Sequence, residues 1–175
     1  MTIIVYRAGW CFADELIHAG DAVVGRSQKI AWRKRDGAII AASGACYTSQ
    51  KFLAGAMRAK MPEDNGTRGE DACVGAVFKK DHSAHYYGGA IPWTMGADFY
   101  CMGSAQEVAT GALLMGADAA EACAAACIAM GWASGLHGVN HFGEWKFVSL
   151  EDVFKPVHAG RIPSAIIKPT KAGHC

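Results

Sequence analysis

The sequence contains little that would direct the chain to a membrane or to nucleic acid. No apolar run approaches the roughly 18 residues of a membrane-spanning helix. The formal net charge of +1 gives no electrostatic reason to bind nucleic acid or an anionic membrane. The start of the chain has no basic segment followed by a long apolar one, so we expect no signal peptide. These features predict a cytoplasmic protein that binds neither membrane nor nucleic acid.

Paired cysteine motifs are also absent. The seven cysteines are odd in number and include no CxxC pair, which argues against a disulfide framework and against a zinc ribbon. Cys123 and Cys127 are four residues apart in an alanine-rich stretch and are expected to share a buried helix face. The glycine-rich segments match no phosphate-binding signature. We expect reduced thiols, no metal and no cofactor.

The length favours one domain. With 175 residues and 51% hydrophobic content, the chain can bury one sizeable core. We predict a domain over residues 1–150 and a C-terminal extension over residues 151–175, which holds three of the five prolines.

Short strands and turn signals dominate the chain. A hairpin is predicted at the start, from Thr2 to Ala13, around Arg7-Ala8-Gly9. Capping boxes predict helices beginning at Ser104 and Asp118. Residues 15–20 and 88–96 are interpreted as connections. The other predicted elements are a short extended piece at 21–25, strands at 27–33, 38–43, 73–78, 84–87, 99–102 and within 139–150, and a helix at 46–60.

The order of these elements indicates the fold class. Hairpins dominate and no βαβ alternation is visible, which favours antiparallel sheets with helices packed outside. We expect an α+β protein in which two sheets lie face to face with a helix layer on each side.

Thr2 is the first candidate for chemistry. It follows the initiator Met1 and is small enough for Met1 to be removed, which would leave a hydroxyl and a free α-amino group on one residue. That combination can make an activated nucleophile. Position alone also allows a simpler interpretation of Thr2, because threonine is a common second residue and a good strand former.

Five short motifs together resemble proteasome-type N-terminal-nucleophile hydrolases, the HslV-like peptidases and their short bacterial and phage relatives. They are the first strand from Thr2, Ala13-Asp14, Gln28-Lys29-Ile30, Ser43-Gly44-Ala45 and Met102-Gly103-Ser104. The resemblance extends from Thr2 to about Phe147 and implies a four-layer αββα sandwich. It also implies a threonine protease that acts as a self-compartmentalising peptidase.

The resemblance assigns a role to each matching residue. Thr2 would be the nucleophile and its α-amino group the base, since an unperturbed α-amino pKa of about 7.7–8.0 suits neutral pH. Lys29 would keep that amine unprotonated, and Asp14 would pair with Lys29. The backbone N–H of Gly44 would face the oxyanion, and Ser104 would hydrogen-bond near the amine.

One expected carboxylate is missing. Many proteasome-type subunits carry an aspartate three residues before a Ser-Gly pair; here the pair is Ser134-Gly135, and Gly131 occupies the aspartate's position. Ser134 would remain as a supporting hydroxyl behind the site. The alternative function is therefore a catalytically silent or structural ring subunit.

Two further alternatives stay open at the sequence level. A cysteine hydrolase could use Cys46 or Cys11 with a histidine, but no His-Cys motif supports it. A metal site at His137 and His141 would need a helix to bring the two side chains together, and the surrounding residues favour a loop or strand instead.

The resemblance also implies partners. They are identical subunits in a ring, with a double ring expected, and a peptide or unfolded protein as substrate. An unfoldase ATPase is a further implied partner.

Overall fold

A computed structural model describes residues 2–59, 72–88, 93–96, 98–132 and 134–154. Residues 60–71 and the part of the predicted extension beyond residue 154 fall outside the described residues. Within the described segments, no helix combines the length and the hydropathy needed to traverse a lipid bilayer.

The first sheet contains the N-terminal strand. Its five strands run in the order β10-β1-β2-β11-β12, and every neighbouring pair is antiparallel. The strands are β1 (Ile3–Arg7), β2 (Trp10–Asp14), β10 (Phe99–Gly103), β11 (Leu136–Asn140) and β12 (Trp145–Val148). Strand β1 has a partner on both sides, so the chain start just before Ile3 is held at the edge of a paired, buried strand.

The second sheet is also antiparallel and has five strands in sequence order, β5-β6-β7-β8-β9. They are β5 (Ile30–Arg33), β6 (Ala38–Gly44), β7 (Cys73–Phe78), β8 (Ser83–Tyr87) and β9 (Trp93–Gly96). Strand β6, which pairs with β5 and β7, is buried over Ala38–Ala42, as its small apolar sequence predicts.

A third sheet corrects the expected fold class. Strands β3 (Leu16–Ala19) and β4 (Ala22–Arg26) pair only with each other in the described structure. The expectation of antiparallel sheets is confirmed, but the expected four-layer αββα sandwich is wrong, because the described chain has three sheets. The physical reason is local. The residues after Asp14, interpreted as a connection, form a separate hairpin with a register shift between Ile17 and His18.

Four helices complete the described structure: α1 (Cys46–Met57), α2 (Gln106–Leu114), α3 (Ala119–Ala129) and α4 (Leu150–Phe154). Helices α2 and α3 pack against β1, and α1 packs against β6 and β7. The alanine and cysteine side chains of α3 allow close contact, and Cys123 and Cys127 are both fully buried there as predicted. Between the two large sheets lies another apolar cluster that includes Ile4, Tyr6 and Phe78.

Turn and cap chemistry explains several boundaries. The β1–β2 turn has positive φ at Ala8 (49°) and Gly9 (83°), the backbone that a two-residue hairpin with right-handed twist needs. Asp118 caps α3 in a complete capping box with Glu121, as predicted. The predicted box at Ser104 is wrong: α2 begins at Gln106, its N-cap is Ala105, and no side chain caps it.

Other differences concern boundaries. The strand predicted at 27–33 begins at Ile30, and the helix predicted to end at Lys60 ends at Met57. Strand β9 lies inside the segment interpreted as a loop. Helix α4 spans the predicted boundary at residue 150.

Candidate active site

Thr2 lies just before β1 and only 6% of its surface is exposed. Its backbone nitrogen donates a hydrogen bond to Oγ of Ser104, at 3.3 Å. The two residues are 102 positions apart and meet because β1 pairs with β10, which ends at Gly103. The hydroxyl that the sequence assigns to a helix cap therefore contacts the nitrogen of Thr2 instead.

Gly103 permits this contact. Its φ is +110°, and a Cβ there would lie 2.0 Å from the carbonyl oxygen of Thr2. Any side chain would collide with backbone that belongs to the β1–β10 pairing, so only glycine lets the two segments approach this closely. Gly103 belongs to the Met102-Gly103-Ser104 motif, to which the resemblance assigns a role only at Ser104. A glycine directly before the candidate serine was the available signal.

Asp14 anchors the residue after Thr2. Its carboxylate is fully buried; Oδ1 accepts from the backbone N–H of Ile3 at 2.8 Å, and Oδ2 accepts from the N–H of Leu16 at 3.0 Å. Hydrogen bonds to an ionised acceptor are among the stronger ones in proteins. The end of β2 thus fixes the start of β1.

Lys29 is buried as well, although a strand lysine is usually exposed. Its Nζ lies 2.6 Å from Oδ2 of Asp14 and donates to the carbonyl of Leu16 at 2.7 Å. Its side chain is 9% exposed, and that of Asp14 is fully buried. A buried ammonium is tolerated only when it is paired and hydrogen-bonded, and both conditions hold here.

A cavity of about 110 Å³ opens beside Thr2 and Lys29. It is lined by no carboxylate side chain among the described residues. The lining residues are Thr2, Leu16, Ile17, His18, Ser27, Gln28, Lys29, Ala42, Gly44, Ala45, Cys46, Ser49 and Gln50. Gln50 is held in place because its Nε2 donates to Oγ of Ser27 and to the carbonyl of Gln28, both at 2.8 Å. The cavity offers polar groups and a possible nucleophile in one concave space.

Gly44 lines the same cavity at the end of β6. Its φ is +128°, and a Cβ would lie 2.2 Å from the carbonyl oxygen of Ala72. The position therefore requires glycine for two reasons, backbone conformation and close approach. Its predicted role toward an oxyanion stays a prediction.

Ser134 lies behind the site. Its Oγ accepts from the N–H of Glu15 at 3.3 Å and donates to the carbonyl of Gly135 at 2.7 Å. It braces the residue that follows Asp14. Gly131 follows Met130, the C-cap residue of α3, and has a φ of +69° with open space around its Cβ position. It contributes no side chain to the site.

The sequence offers His137 only as a metal ligand, and the structure places it near the back of the site. It is 2% exposed, and its Nδ1 lies 3.4 Å from Oε1 of Glu15 without hydrogen-bond geometry. Burial lowers the pKa of His137 below its ordinary value, although the carboxylates of Glu15 and Asp14 act in the opposite direction. We take the imidazole as neutral near pH 7, so the contact with Glu15 is not an ion pair.

The other candidate residues are separated. Cys11 is fully buried on β2, and burial raises the pKa of its thiol, which disfavours a nucleophilic thiolate. Cys46 is exposed and lines the cavity. His141 contacts Tyr6 and Gly37 rather than the neighbours of His137. In the described segments, no cluster of three or more His, Cys, Asp or Glu side chains could hold a metal ion.

The fold and the comparisons define a class. Two solved structures similar to this chain are of Anbu, a proteasome-like protein, so the chain has the fold of a proteasome-like subunit. No protein-family model and no curated protein sequence matches the chain.

The particular structures are two forms of Anbu. One is a mutant Anbu from Hyphomicrobium sp. strain MC1, and the other is Anbu, described as the ancestral beta-subunit, from Yersinia bercovieri. Each is 11% identical to this chain, with a TM-score of 0.59, and the match covers 87% of this chain and 89% of the other. The prediction that the chain is an HslV-like N-terminal-nucleophile hydrolase is therefore wrong. The similar structures are of Anbu, and similarity at this level shows the fold alone.

Proposed function

We propose that this proteasome-like subunit is a threonine peptidase whose nucleophile is Thr2 after removal of Met1. The observation that carries the proposal is the contact between the Thr2 nitrogen and Ser104 Oγ, beside a cavity lined by Thr2 and Lys29. Removal of Met1 converts that nitrogen from an amide into a basic amine. The residue then carries a nucleophile and a base together.

The reaction divides into two steps. In the first, Oγ of Thr2 attacks the peptide carbonyl while its proton passes to the α-amino group, directly or through a water. The tetrahedral intermediate then collapses, the C–N bond breaks, and the proton goes to the leaving amine. In the second step, water attacks the resulting ester, the acid product leaves, and Thr2 regains its hydroxyl proton.

The surrounding residues support these steps. The ammonium of Lys29, fixed by Asp14, favours the unprotonated form of a nearby amine. Ser104 Oγ can accept from or donate to that amine. We assign the backbone of Gly44 to the developing oxyanion, because it lines the cavity and no side chain shields it. Ser134 holds the segment that carries Asp14.

Assembly is a further part of the proposal. We infer a homo-oligomeric ring, with a double ring expected, that encloses the site and admits peptides or unfolded protein in the cytoplasm. Large apolar side chains are exposed where α2 and α3 end, namely Leu114, Met115, Ile128 and Met130. Such exposed groups often mark protein contacts. An unfoldase ATPase would be needed only for folded substrates.

A second candidate function is a ring subunit without catalytic activity. Gly131, which occupies the position of a carboxylate in many proteasome-type subunits, supports this candidate because it supplies no side chain. The buried Asp14–Lys29 pair favours the peptidase, because it places an ammonium in the lining of the same cavity as Thr2.

The test is hydrolysis of a panel of fluorogenic peptides with different residues before the cleaved bond. The peptidase proposal predicts turnover by the processed protein, no turnover by Thr2→Ala, and retained turnover by Thr2→Ser, which keeps a hydroxyl. Turnover that survives in Thr2→Ala would contradict the assignment of the nucleophile. No turnover by a processed, assembled wild-type protein would favour the silent subunit.

A further inference from the structure

A second cluster of reactive side chains lies far from Thr2. Tyr6 is near the opposite end of β1, about 13 Å from Thr2 at the usual rise of a strand. Its hydroxyl oxygen lies 3.0 Å from Nδ1 of His82 and 2.9 Å from Nε2 of His141. These residues come from β1, from the β7–β8 turn and from the end of β11. The folded chain thus brings two imidazole nitrogens and one phenol oxygen to a single point.

The tautomer of His141 follows from its second contact. Its Nδ1 lies 2.8 Å from the carbonyl oxygen of Gly37, and a carbonyl can only accept. Nδ1 therefore carries the proton, and Nε2 presents its lone pair toward the hydroxyl of Tyr6. An N–H bonded to a backbone carbonyl is the arrangement that typically orients a metal-binding histidine.

Two members of the cluster, Tyr6 and His141, are buried, and the third, His82, faces solvent. Tyr6 is 1% exposed and stacks on Phe78 with ring centroids 4.3 Å apart, and His141 is 5% exposed. His82 is exposed and has a φ of +64°, a strained backbone for a residue other than glycine. Strain of this kind is common at binding sites, and the exposed His82 gives an ion a path from solvent.

Charged side chains of both signs lie near the cluster. His141 interacts with the Lys80 ammonium and with the Asp81 carboxylate. The Asp81 carboxylate also interacts with Tyr6.

We propose that Tyr6, His82 and His141 form a binding site for one late first-row divalent metal ion, of which Zn²⁺ is the probe ion. Two imidazoles and one phenol oxygen suit zinc, copper or nickel and do not suit Mg²⁺ or Ca²⁺. On binding, the Tyr6 O–H bond breaks, its oxygen bonds to the ion, and the proton passes to the solvent. Water completes the coordination.

The ion would tie β1 to the β7–β8 turn and to the end of β11, and so stabilise the strand that follows Thr2. The site does not depend on the peptidase proposal. It includes none of the residues assigned to catalysis, and the chain can bind the ion whether or not Met1 is removed.

The test is a Zn²⁺ titration of the reduced full-length protein by calorimetry at pH 7.5, with the melting temperature measured in parallel. We expect one ion per chain and a higher melting temperature, because an ion that binds only the folded state stabilises it. His82→Asn should weaken binding at least tenfold. Asparagine is the suitable replacement because it tolerates the left-handed backbone at this position. His85→Asn and Cys46→Ser should leave binding unchanged.

A third variant tests the phenol. Tyr6→Phe should abolish the release of one proton per ion, measured in weakly buffered solution, and should weaken binding. Absence of Zn²⁺ binding by the wild-type protein would overturn the proposal. So would equal affinity in His82→Asn and wild type, and so would loss of binding in Cys46→Ser, which would place the ion on the exposed thiol.

Discussion

The ammonium nitrogen of Lys29 lies 2.6 Å from a carboxylate oxygen of Asp14, and the two side chains are 9% and 0% exposed. The same carboxylate accepts from the N–H of Ile3, directly after Thr2. One buried ion pair therefore joins the end of β2, the segment before β5 and the start of β1. The position of Thr2 depends on a charge network as well as on strand pairing.

Breaking that pair should be strongly destabilising. Lys29→Met leaves the Asp14 carboxylate buried without its cation, and loss of one partner of a buried pair typically costs about 3–5 kcal/mol. Urea unfolding of the two proteins measures this difference. The control is Arg26→Met, which breaks the 3.3 Å pair with Glu15, where the arginine is 66% exposed; this change should cost less than about 1 kcal/mol. Equal costs in the two variants would show that the buried pair has no special role.

Gly103 should not tolerate a side chain. Gly103→Ala places a Cβ 2.0 Å from the Thr2 carbonyl oxygen at a φ of +110°, which predicts a loss of at least about 1–3 kcal/mol from backbone strain and displacement of Thr2. Gly111→Ala is the matched control, since Gly111 is helical and its Cβ position is open. That change should be neutral or stabilising by up to about 1 kcal/mol. The free energies of unfolding of the wild type and the two variants test these expectations. A Gly103→Ala protein as stable as the wild type would contradict the close approach of Gly103 to the Thr2 carbonyl oxygen.

Ser104 should affect activity rather than stability. The structure assigns its hydroxyl to the Thr2 nitrogen and leaves α2 without a side-chain cap. Ser104→Ala should therefore leave the melting temperature almost unchanged while it lowers kcat for peptide hydrolysis. Asp118→Ala, which removes the observed cap of α3, should instead cost about 1 kcal/mol. A Ser104→Ala variant that loses as much stability as Asp118→Ala would restore the capping interpretation.

Ser104 and Asp118 show what local sequence patterns can and cannot predict. Asp118 and Glu121 form the cap that their spacing predicts, because the contact spans only three residues. Ser104 has the same local pattern, but a contact 102 residues away replaces the cap. A pattern read over four residues contains no information about which strand will lie beside it.

The same distinction applies to the fold and the site. The β1–β2 hairpin and the helix α3 were predictable from turn and cap residues. The extended piece predicted at 21–25 corresponds to β4, but its partner β3 was interpreted as a connection, so the β3–β4 hairpin was not predicted. The residues Thr2, Asp14, Lys29 and Gly44 came from a resemblance, and their proximity depends on how strands of different sheets meet. The burial of His137 near Glu15 had no sequence signal.

The buried His137 should make stability depend on pH. Because its folded-state pKa is lowered by burial, the unfolded chain binds the proton more tightly, with an ordinary pKa of about 6.5. Its stabilising contribution is present above that pH and is lost as the pH falls toward the folded-state pKa. Urea midpoints measured from pH 8 to pH 5 should decline in the wild type and decline less in His137→Gln.

His85 is the control for this effect. Burial lowers its pKa as well, but the side chain is only partly buried, so His85→Gln should change the pH dependence less than His137→Gln does. If His137→Gln has the same pH dependence as the wild type, the imidazole is not held neutral by burial.

The most direct measurement of the central claim is the intact mass and N-terminal sequence of the purified protein, before and after reaction with a peptide epoxyketone. This probe reacts with both the hydroxyl and the free amine of an N-terminal threonine. The threonine-peptidase account predicts loss of Met1 and one adduct per chain, located on Thr2 and absent from Thr2→Ala. A processed protein that forms no adduct, or an adduct on Cys46 instead, would contradict it.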